Sequence, residues 1–389
     1  MNGSLNTSDS SGEACDARVA VVSPKPPPVH GAAIAVGELI ESSLVERFGI
    51  RHVDARFTGE VADLQRFRLD KVRRLFGVLR AIRRTLRGEG ADVVVLTPTF
   101  LPKPFLKDAV LIWWTWFHRP REILAWLHMD FETMNYARRN AAFRWFARAT
   151  LRRCTRMVCV APRLQERLPE FLCERPVHSV MNGVADCFAG DALARRPGQG
   201  VRVVFLSHMG IAKGWELLFE QAERLCAQFT QVKFHFYGGP AADSSEERIR
   251  ARFLGGRWPE RVVWHGFVQG EAKTAALRDA SLFCFPSFNE AFPLTVLEAM
   301  SAGLPIVASD AGAVRDALVE GEGAYLVPPR NGERLHDALA QLIGDPAARE
   351  RMGAFNRKRY EELFTVERYL TRWSDLLSLL EAKRERAAA

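Results

Sequence analysis

Short apolar runs rich in β-branched residues alternate with longer stretches in which apolar residues recur every three or four positions. The first pattern is typical of buried strands and the second of amphipathic helices. Five strands are predicted in the first half, at residues 17–23, 91–96, 122–128, 155–161 and 177–181. Six are predicted in the second half, at residues 201–207, 232–238, 262–266, 281–287, 305–310 and 324–328. Strands separated by helices predict an α/β fold built on parallel sheets.

Residues 182–200 separate the two series of strands and contain four glycines and a proline, the composition of a connector. A chain of 389 residues is also long for a single core. We therefore predict a first domain over residues 15–190 and a second over residues 191–364. Residues 365–389 continue with apolar residues at helical spacing and predict a long closing helix and tail, whereas the polar residues 1–14 predict a flexible tail.

Two such domains are expected to leave a cleft between the carboxyl ends of their strands, where open α/β folds bind ligands. The dinucleotide fingerprint G-x-G-x-x-G follows none of the predicted strands, and the phosphate loop G-x-x-x-x-G-K-[ST] does not occur. These absences disfavour dehydrogenases and P-loop enzymes. The nearest approach to a D-x-D pair is Asp130-Phe131-Glu132, so a metal-bridged diphosphate is not indicated.

The densest chemical pattern lies in residues 285–309, where an apolar strand ends, a loop carries Glu290, and Pro293 stands at the first position of a predicted helix. The first amides of that helix, at Leu294 and Thr295, carry its positive dipole end and predict a phosphate-binding position. Glu298 lies four residues beyond Leu294, about 6 Å along the helix axis, which suits a ribose attached to the phosphate.

The spacing of the two glutamates is not evidence by itself, because three glutamate pairs in this chain are eight residues apart. Only the pair formed by Glu290 and Glu298 begins on a loop that leaves an apolar strand and ends inside the next helix. The context of this pair, and not its spacing, indicates a functional site.

Residues 285–309 resemble the signature of the retaining glycosyltransferases of family 4, which have the GT-B fold of two facing Rossmann-like domains and a closing C-terminal helix. The similarity extends over most of the chain. Further similar segments are the strand, loop and helix around Lys213-Gly214, the segment His265–Lys273, the loop Pro26–Ala33 with Gly31, and the connector Asn182-Gly183-Val184.

The resemblance implies a role for each matching carboxylate and histidine. Glu290 would accept hydrogen bonds from the donor sugar and act in catalysis, and Glu298 would bind the ribose hydroxyls. His128, at the end of a first-domain strand, would face the transferred sugar as the second catalytic residue. No protein nucleophile is implied, because in this family the departing phosphate is thought to deprotonate the acceptor on the same face of the sugar.

The donor diphosphate would be bound by Lys213, by the amides of Leu294 and Thr295, and by Gly31 of the opposite domain. Two positions depart from the family pattern. His208 replaces an arginine that usually precedes the lysine by five residues, so this donor-binding position has a charge that depends on pH. Pro293 replaces a glycine and has no amide to donate.

Charge divides the chain, because Lys and Arg outnumber Asp and Glu by 28 to 20 in residues 1–190 and match them at 26 each in residues 191–389. Basic residues cluster in residues 66–87, and aromatic residues cluster in residues 113–117. Basic helices with aromatic neighbours suit anionic lipid surfaces, although aromatic side chains more often belong to a core. Neither a signal peptide nor an apolar run of spanning length occurs. We therefore expect a cytoplasmic protein peripheral to the inner face of the plasma membrane.

The resulting hypothesis is a metal-independent, retaining hexosyl-type transferase that moves a sugar from a nucleoside-diphosphate sugar to a lipid-linked or polysaccharide acceptor in cell-envelope or exopolysaccharide biosynthesis. No cofactor besides the donor substrate is expected. The alternatives are a GT-B epimerase or phosphorylase, a catalytically inactive sensor of sugar nucleotides, and a nucleic-acid binder. The last has no support from zinc-ligand spacing, an RNP-like motif or a helix-turn-helix pattern.

Overall fold

The first domain is built on a parallel sheet of six strands. The computed structural model describes residues 18–26, 31–56, 69–100, 102–131, 136–190 and 200–388. The strands of this sheet are β1 (Val19–Ser23), β2 (Arg51–Asp54), β3 (Val93–Leu96), β4 (Glu122–Leu127), β5 (Arg156–Cys159) and β6 (Val177–Ser179). Their order in the sheet is β2-β1-β3-β4-β5-β6.

The second domain has a parallel sheet of the same size. Its strands are β7 (Val201–Leu206), β8 (Val232–Tyr237), β9 (Val262–Trp264), β10 (Leu282–Phe285), β11 (Ile306–Ser309) and β12 (Ala324–Val327). Their order in the sheet is β12-β11-β10-β7-β8-β9.

Helices connect the strands in both domains. Those of the first domain are α1 (Gly31–Ile40), α2 (Leu44–Arg47), α3 (Leu69–Arg87), α4 (Pro102–Phe117), α5 (Ala141–Leu151), α6 (Pro162–Glu166) and α7 (Glu170–Cys173). Those that follow are α8 (Trp215–Gln228), α9 (Glu246–Leu254), α10 (Glu271–Arg278), α11 (Leu294–Ser301), α12 (Val314–Ala317), α13 (Gly332–Gly344), α14 (Pro346–Leu363) and α15 (Val366–Ala388). Short 3₁₀ helices span Tyr136–Arg138 and Ile211–Lys213.

Each of the eleven predicted strands is present, and among the strands of the described residues the sequence pattern missed β2 alone. The strands β1, β3, β10 and β11 are buried along their whole length, which explains their largely apolar sequences. β2 reads Arg-His-Val-Asp and lies at the edge of its sheet, where only Val53 is fully buried. An edge strand needs little apolar surface, so β2 lacks the pattern that revealed the others.

The predicted closing helix exists as α15, and it packs against the first domain. The Tyr369 hydroxyl donates to the carbonyl of Ala35 at 2.6 Å, and the ring of Trp373 meets Trp126 edge-on with centroids 4.8 Å apart. A Cβ on Gly183 would lie 2.3 Å from the Thr365 carbonyl, so glycine is required where the connector passes the start of α15. The chain thus crosses back to the domain in which it began.

Some predictions fall outside the described residues. They are the flexible tail at residues 1–14, the basic residues Arg66 and Arg68, and His30 in the loop that precedes Gly31. In the part of the chain that the structure describes, no helix has both the length and the apolar character needed to cross a membrane.

Candidate active site

The two domains approach each other at the first residues of two helices. α1 begins at Gly31 after β1, and α11 begins at Leu294 after β10, so both start at the carboxyl end of their sheet. A Cβ built on Gly31 would lie 3.8 Å from Cγ and Cδ1 of Leu294. The cleft expected from the sequence is therefore narrow here, and the small residue leaves room between the two helix ends.

The N-terminus of α11 provides the predicted phosphate-binding position. Pro293 is extended (φ −77°, ψ 119°) and precedes the helix, which corrects the prediction that it is the first helical residue. Leu294 and Thr295 are instead the first two residues of α11. Their amides have no acceptor within the helix and lie at its positive end. An anion could accept hydrogen bonds from both.

Glu290 and Lys213 form an ion pair beside this helix end. Lys213 Nζ donates to Glu290 Oε1, and the Ser287 hydroxyl donates to the same oxygen at 3.0 Å. The lysine side chain is only 18% exposed and the glutamate 10%, so water screens the pair little. The pairing holds a cation and a carboxylate side by side at the edge of the cleft.

Two close backbone contacts bring Lys213 to Glu290. Gly214 has a left-handed conformation (φ 73°, ψ 17°), and a Cβ there would lie 2.1 Å from the carbonyl of Pro286. The amide of Phe288 donates to the carbonyl of Ala212 at 2.8 Å. The Lys-Gly motif is therefore explained locally, because only glycine lets the loop after β7 lie against the loop after β10.

A second ion pair holds Glu298. Lys273 Nζ donates to Glu298 Oε1 at 2.6 Å, and the two side chains are 29% and 15% exposed. The other oxygen, Oε2, is buried and has no hydrogen-bond partner within the described residues. Leaving such an acceptor unsatisfied costs about 1–3 kcal/mol, which is consistent with a ligand that donates to it.

His208 lies in the same group of side chains. Its Nδ1 accepts a hydrogen bond from the amide of Gly210 at 3.2 Å, which places the proton of the neutral ring on Nε2. Burial lowers the pKa of His208, and the nearby Lys213 lowers this pKa further, against the opposite influence of Glu290 and Asp243. The ring is therefore mostly uncharged at neutral pH in the free protein.

His128 lies in the opposite domain, directly after β4 and half-buried. Its ring is 4.3 Å from the centroid of Trp126, which in turn meets Trp373 of the closing helix. The structure thus places the histidine at the carboxyl end of the first sheet, on a layer of buried tryptophans. The other predicted residues lie on or beside α11, apart from Gly31 across the cleft.

Sequence reasoning missed two residues that hold Glu290 in place. Ser287 donates to its carboxylate, and Gly312 (φ 58°) approaches so closely that a Cβ would lie 1.7 Å from the Glu290 carbonyl. Ser287 stands inside the recognised segment, and Gly312 follows β11 in the run Ala-Gly-Ala. Neither carries a chemical signal beyond its neighbours. Within the described residues, no three His, Cys, Asp or Glu side chains are grouped as metal ligands.

The sequence of the second domain is similar to those of known glycosyltransferases. Residues 194–359 match the family described as glycosyl transferases group 1. The phosphatidyl-myo-inositol mannosyltransferase of Mycobacterium leprae is 34% identical over 174 residues, which are 43% of this chain and 45% of that protein. The chain spans about half the length of the curated relatives that it matches.

Solved structures are similar over nearly the whole chain. A sucrose-phosphate synthase from Thermosynechococcus elongatus superimposes with a TM-score of 0.76 at 18% identity, covering 94% of this chain and all of that one. HepE of Anabaena, solved with UDP-glucose, has a TM-score of 0.67 at 14% identity, with 92% and 99% covered. At such low identity the similarity shows the fold, and it confirms the GT-B arrangement of two Rossmann-like domains.

Proposed function

We propose that this chain, whose second domain belongs to the glycosyl transferases group 1 family, is a retaining glycosyltransferase of family 4 that uses a nucleoside-diphosphate sugar as donor. One observation carries the proposal: Lys213 pairs with Glu290 in the loop that leads into α11, and Lys273 pairs with Glu298 on that helix, while Gly214 and Gly312 permit the close backbone contacts beside the first pair. Such a group can bind a diphosphate flanked by two sets of hydroxyls, one on each side.

Each part of the donor has a matching group. The diphosphate would lie against Lys213 and the amides of Leu294 and Thr295, with Gly31 closing the other side. The transferred sugar would donate to Glu290, and the ribose would donate to the unpaired oxygen of Glu298. His208 completes the phosphate side when it is protonated.

The chemistry follows from where charge develops. When the bond between the anomeric carbon and the diphosphate oxygen breaks, negative charge accumulates on the diphosphate. In the proposed complex Lys213 and the helix amides would face that position, so they would stabilise the transition state more than the ground state. The acceptor oxygen bonds to the anomeric carbon on the same face, and its proton passes to the departing phosphate. A closed cleft would keep water from taking the sugar.

The proposal requires no metal ion, because a lysine and two amides can offset the charge of the diphosphate. Transfer is therefore expected to continue at an unchanged rate in excess EDTA. A rate that falls in EDTA and returns with Mg²⁺ would contradict this part of the proposal.

The donor can be found by measuring the melting temperature with UDP, GDP, ADP, CDP and dTDP, followed by their sugars. UDP-glucose and GDP-mannose are the first sugars to test, since HepE was solved with UDP-glucose and the M. leprae relative is a mannosyltransferase. Binding of one nucleotide, with sugar transfer that depends on acceptor, supports the proposal. Product formed without acceptor would instead indicate an epimerase, and sugar 1-phosphate formed from a glycan and phosphate would indicate a phosphorylase.

We further propose that the first domain rests on an anionic membrane and that the acceptor is lipid-linked or a membrane-associated polysaccharide. Of the ten strongly exposed large apolar side chains in the described residues, six lie on the adjacent helices α3, α4 and α5. They are Phe76, Leu106, Val110, Trp116, Phe117 and Trp145. Hydrogen bonds from Trp114 to the Leu79 carbonyl and from Trp113 to Thr150 join the three helices into one face.

One of the three helices that form this apolar face, α3, carries many positive charges. α3 carries six exposed arginines, which are Arg73, Arg74, Arg80, Arg83, Arg84 and Arg87. Arg74 and Arg84 also line a cavity of about 760 Å³ between α3 and the edge strand β2, together with Arg51 and Arg56. Guanidinium groups beside exposed aromatics suit phosphate headgroups with an apolar layer beneath them.

Co-sedimentation with vesicles tests the membrane contact. The natural protein should bind phosphatidylglycerol vesicles at low salt and release them as salt rises. Phe117→Ser should weaken binding several-fold, whereas Leu254→Ser, which removes a similarly exposed residue from the second domain (72% against 67%), should not. Equal binding by both variants, or no binding by the natural protein, would contradict the proposed face.

A further inference from the structure

The two oxygens of the Glu298 carboxylate have different surroundings. Oε1 accepts a hydrogen bond from Lys273 Nζ at 2.6 Å, whereas Oε2 is buried and has no partner within the described residues. A free carboxylate rotates about its last carbon–carbon bond and exchanges its two oxygens. A cation on one oxygen stops this rotation and fixes the direction of the other.

Lys273 is well placed to hold Glu298 in this way. It is the third residue of α10, and its amide donates to the carbonyl of Gly270, which has a conformation that favours glycine (φ 57°, ψ −135°). Glu298 lies on α11, so the ion pair joins two helices that each precede a central strand of the second sheet. The lysine side chain is mostly buried, as expected for a group with a fixed partner.

We propose that Lys273 is a positioning residue, which orients the Glu298 carboxylate so that Oε2 accepts a hydrogen bond from the ribose, and which thereby sets the preference of the enzyme for ribose over deoxyribose. The inference rests on the proposed function, because it assumes a nucleoside-diphosphate donor in the cleft. It assigns Lys273 a role through Glu298 and no contact with the donor itself.

The preference follows from the buried oxygen. A ribonucleotide satisfies Oε2, whereas a deoxyribonucleotide leaves a buried charged acceptor unpaired. Sites built to bind a hydroxyl reject analogues that lack it. We therefore expect the deoxyribonucleotide to bind at least about tenfold more weakly than the ribonucleotide. Without Lys273 the carboxylate can turn toward solvent or toward other donors. The analogue then meets no fixed unpaired oxygen, and the preference should fall.

The test compares dissociation constants of the natural protein and variants for UDP, 2′-deoxy-UDP and 3′-deoxy-UDP, with the matching GDP set in parallel. The main variant is Lys273→Met. The matched control is Lys358→Met, which breaks a lysine–glutamate pair on α14 far along the chain from the cleft residues (Lys358 Nζ to Glu362 Oε1, 3.9 Å). Lys273→Arg keeps the ion pair, and it tests the inference in a folded protein if the methionine variant proves unstable.

The inference predicts at least about a tenfold preference for the ribonucleotide over one deoxy analogue in the natural protein, in Lys358→Met and in Lys273→Arg. In Lys273→Met the ratio should approach one, because the ribonucleotide loses a fixed acceptor and the analogue no longer leaves that acceptor unpaired. Equal weakening of ribonucleotide and analogues would overturn the inference, because Lys273 would then affect the donor site as a whole and not the preference for ribose. Equal binding of UDP, 2′-deoxy-UDP and 3′-deoxy-UDP by the natural protein would overturn it as well.

The same binding measurements distinguish a failure of this inference from a failure of the proposed function. If the natural protein bound none of the nucleoside diphosphates, the donor assignment itself would be wrong, and the role of Lys273 would go with it. If nucleotides bound and only the ratio stayed constant across the variants, the proposed function would stand and Lys273 would be a structural residue.

Discussion

The two domains share a fold but place their charged residues differently. Acidic and basic residues balance at 26 each over residues 191–389, and the Lys213–Glu290 and Lys273–Glu298 pairs of the second domain are mostly buried. In the first domain, the excess of basic residues includes a row of exposed arginines on α3. Paired charges of opposite sign suit a site for one small ligand. An excess of exposed positive charge instead attracts an extended anionic surface.

The similarity to known proteins also differs between the two domains. The family match covers residues 194–359, all of them after β6, whereas the similarity to solved structures extends over both domains. A nucleoside-diphosphate sugar presents the same groups to every enzyme that uses it, but acceptors differ. We therefore expect the first domain to determine the acceptor and the second to determine the donor.

The largest expected effect is the loss of sugar transfer when Glu290 or Lys213 is replaced. Glu290→Gln and Lys213→Met should each lower the rate of sugar transfer by about 10²–10³-fold, because each removes a group oriented toward the transition state. Transfer rates at saturating donor, with melting temperatures to show that each variant folds, are the measurement.

A control is needed because removing one partner of a buried pair leaves the other charge uncompensated, which can cost about 3–5 kcal/mol of folding stability. The double variant Lys213→Met with Glu290→Gln removes both charges and should regain stability without regaining activity. Nearly natural transfer by either folded single variant would contradict the site.

The next effect concerns pH. Because the pKa of His208 is lowered in the free protein by burial and by Lys213, while Glu290 and Asp243 act in the opposite direction, the ring is neutral at pH 7. A bound diphosphate would raise this pKa, so the complex binds more protons than the free protein and donor affinity should rise as pH falls from 8 to 6. Each unit of difference in pKa corresponds to at most tenfold in affinity.

Titration calorimetry at several pH values, with His208→Gln as the comparison, checks this dependence. The variant should show a flatter profile, and His208→Arg should bind the donor more tightly with little change over this range. The folding stability contributed by His208 has the opposite sign: with a lowered pKa in the folded state, it is present above the unfolded pKa and is lost as pH falls. Donor affinity that decreases on acidification would contradict the role of His208.

A smaller effect is expected where the domains touch. The backbone amide of Arg163 donates to Asp316 Oδ2 at 2.8 Å, and the Arg163 side-chain Nε lies 3.6 Å from Asp316 Oδ1. These two contacts join α6 of the first domain to α12 of the second. Asp316→Ala should favour a more open cleft and raise the Michaelis constant for the donor by about fivefold, since partly exposed pairs contribute up to about 1 kcal/mol. Scattering in solution should show a larger radius of gyration. An unchanged radius and unchanged kinetics would show that the contact does not hold the cleft closed.

The smallest effect separates the stability of the basic helix from its surface role. Gly77 lies within α3, and a Cβ there would meet nothing within 4 Å. Gly77→Ala should therefore stabilise the protein by up to about 1 kcal/mol, through helix propensity alone, without changing transfer or vesicle binding. Urea unfolding measures the gain. A loss of stability would mean that α3 packs more tightly at this position than the structure shows.

The sequence predicted most of the fold because parallel strands covered on both faces are continuously apolar. The four residues of β3, Val-Val-Val-Leu, are all buried and were found in this way, while β2 at the sheet edge carries arginine, histidine and aspartate and was missed. The aromatic residues 113–117 could not be assigned from the pattern. The structure divides them: Trp113 and Trp114 pack on the core, whereas Trp116 and Phe117 are exposed.

The candidate site was predictable as a set of residues but not as a set of contacts. Glu290, Glu298 and Lys213 stand in recognisable segments, yet the ion pairs join residues 77 and 25 positions apart. The first pairing depends on how the loops after β7 and β10 lie against each other, and the second on how α10 lies beside α11. Gly214 permits the first approach, and Gly312, which follows β11, lies against the backbone of Glu290; neither contact leaves a charge or a periodicity in the sequence.

The most direct test is a crystal structure of the protein with UDP-glucose or GDP-mannose, whichever raises the melting temperature more. The diphosphate oxygens are expected within hydrogen-bonding distance of Lys213 Nζ and of the amides of Leu294 and Thr295, with a ribose hydroxyl on Glu298 Oε2. A nucleotide bound elsewhere on the protein, with the N-terminus of α11 in contact only with solvent, would contradict the account.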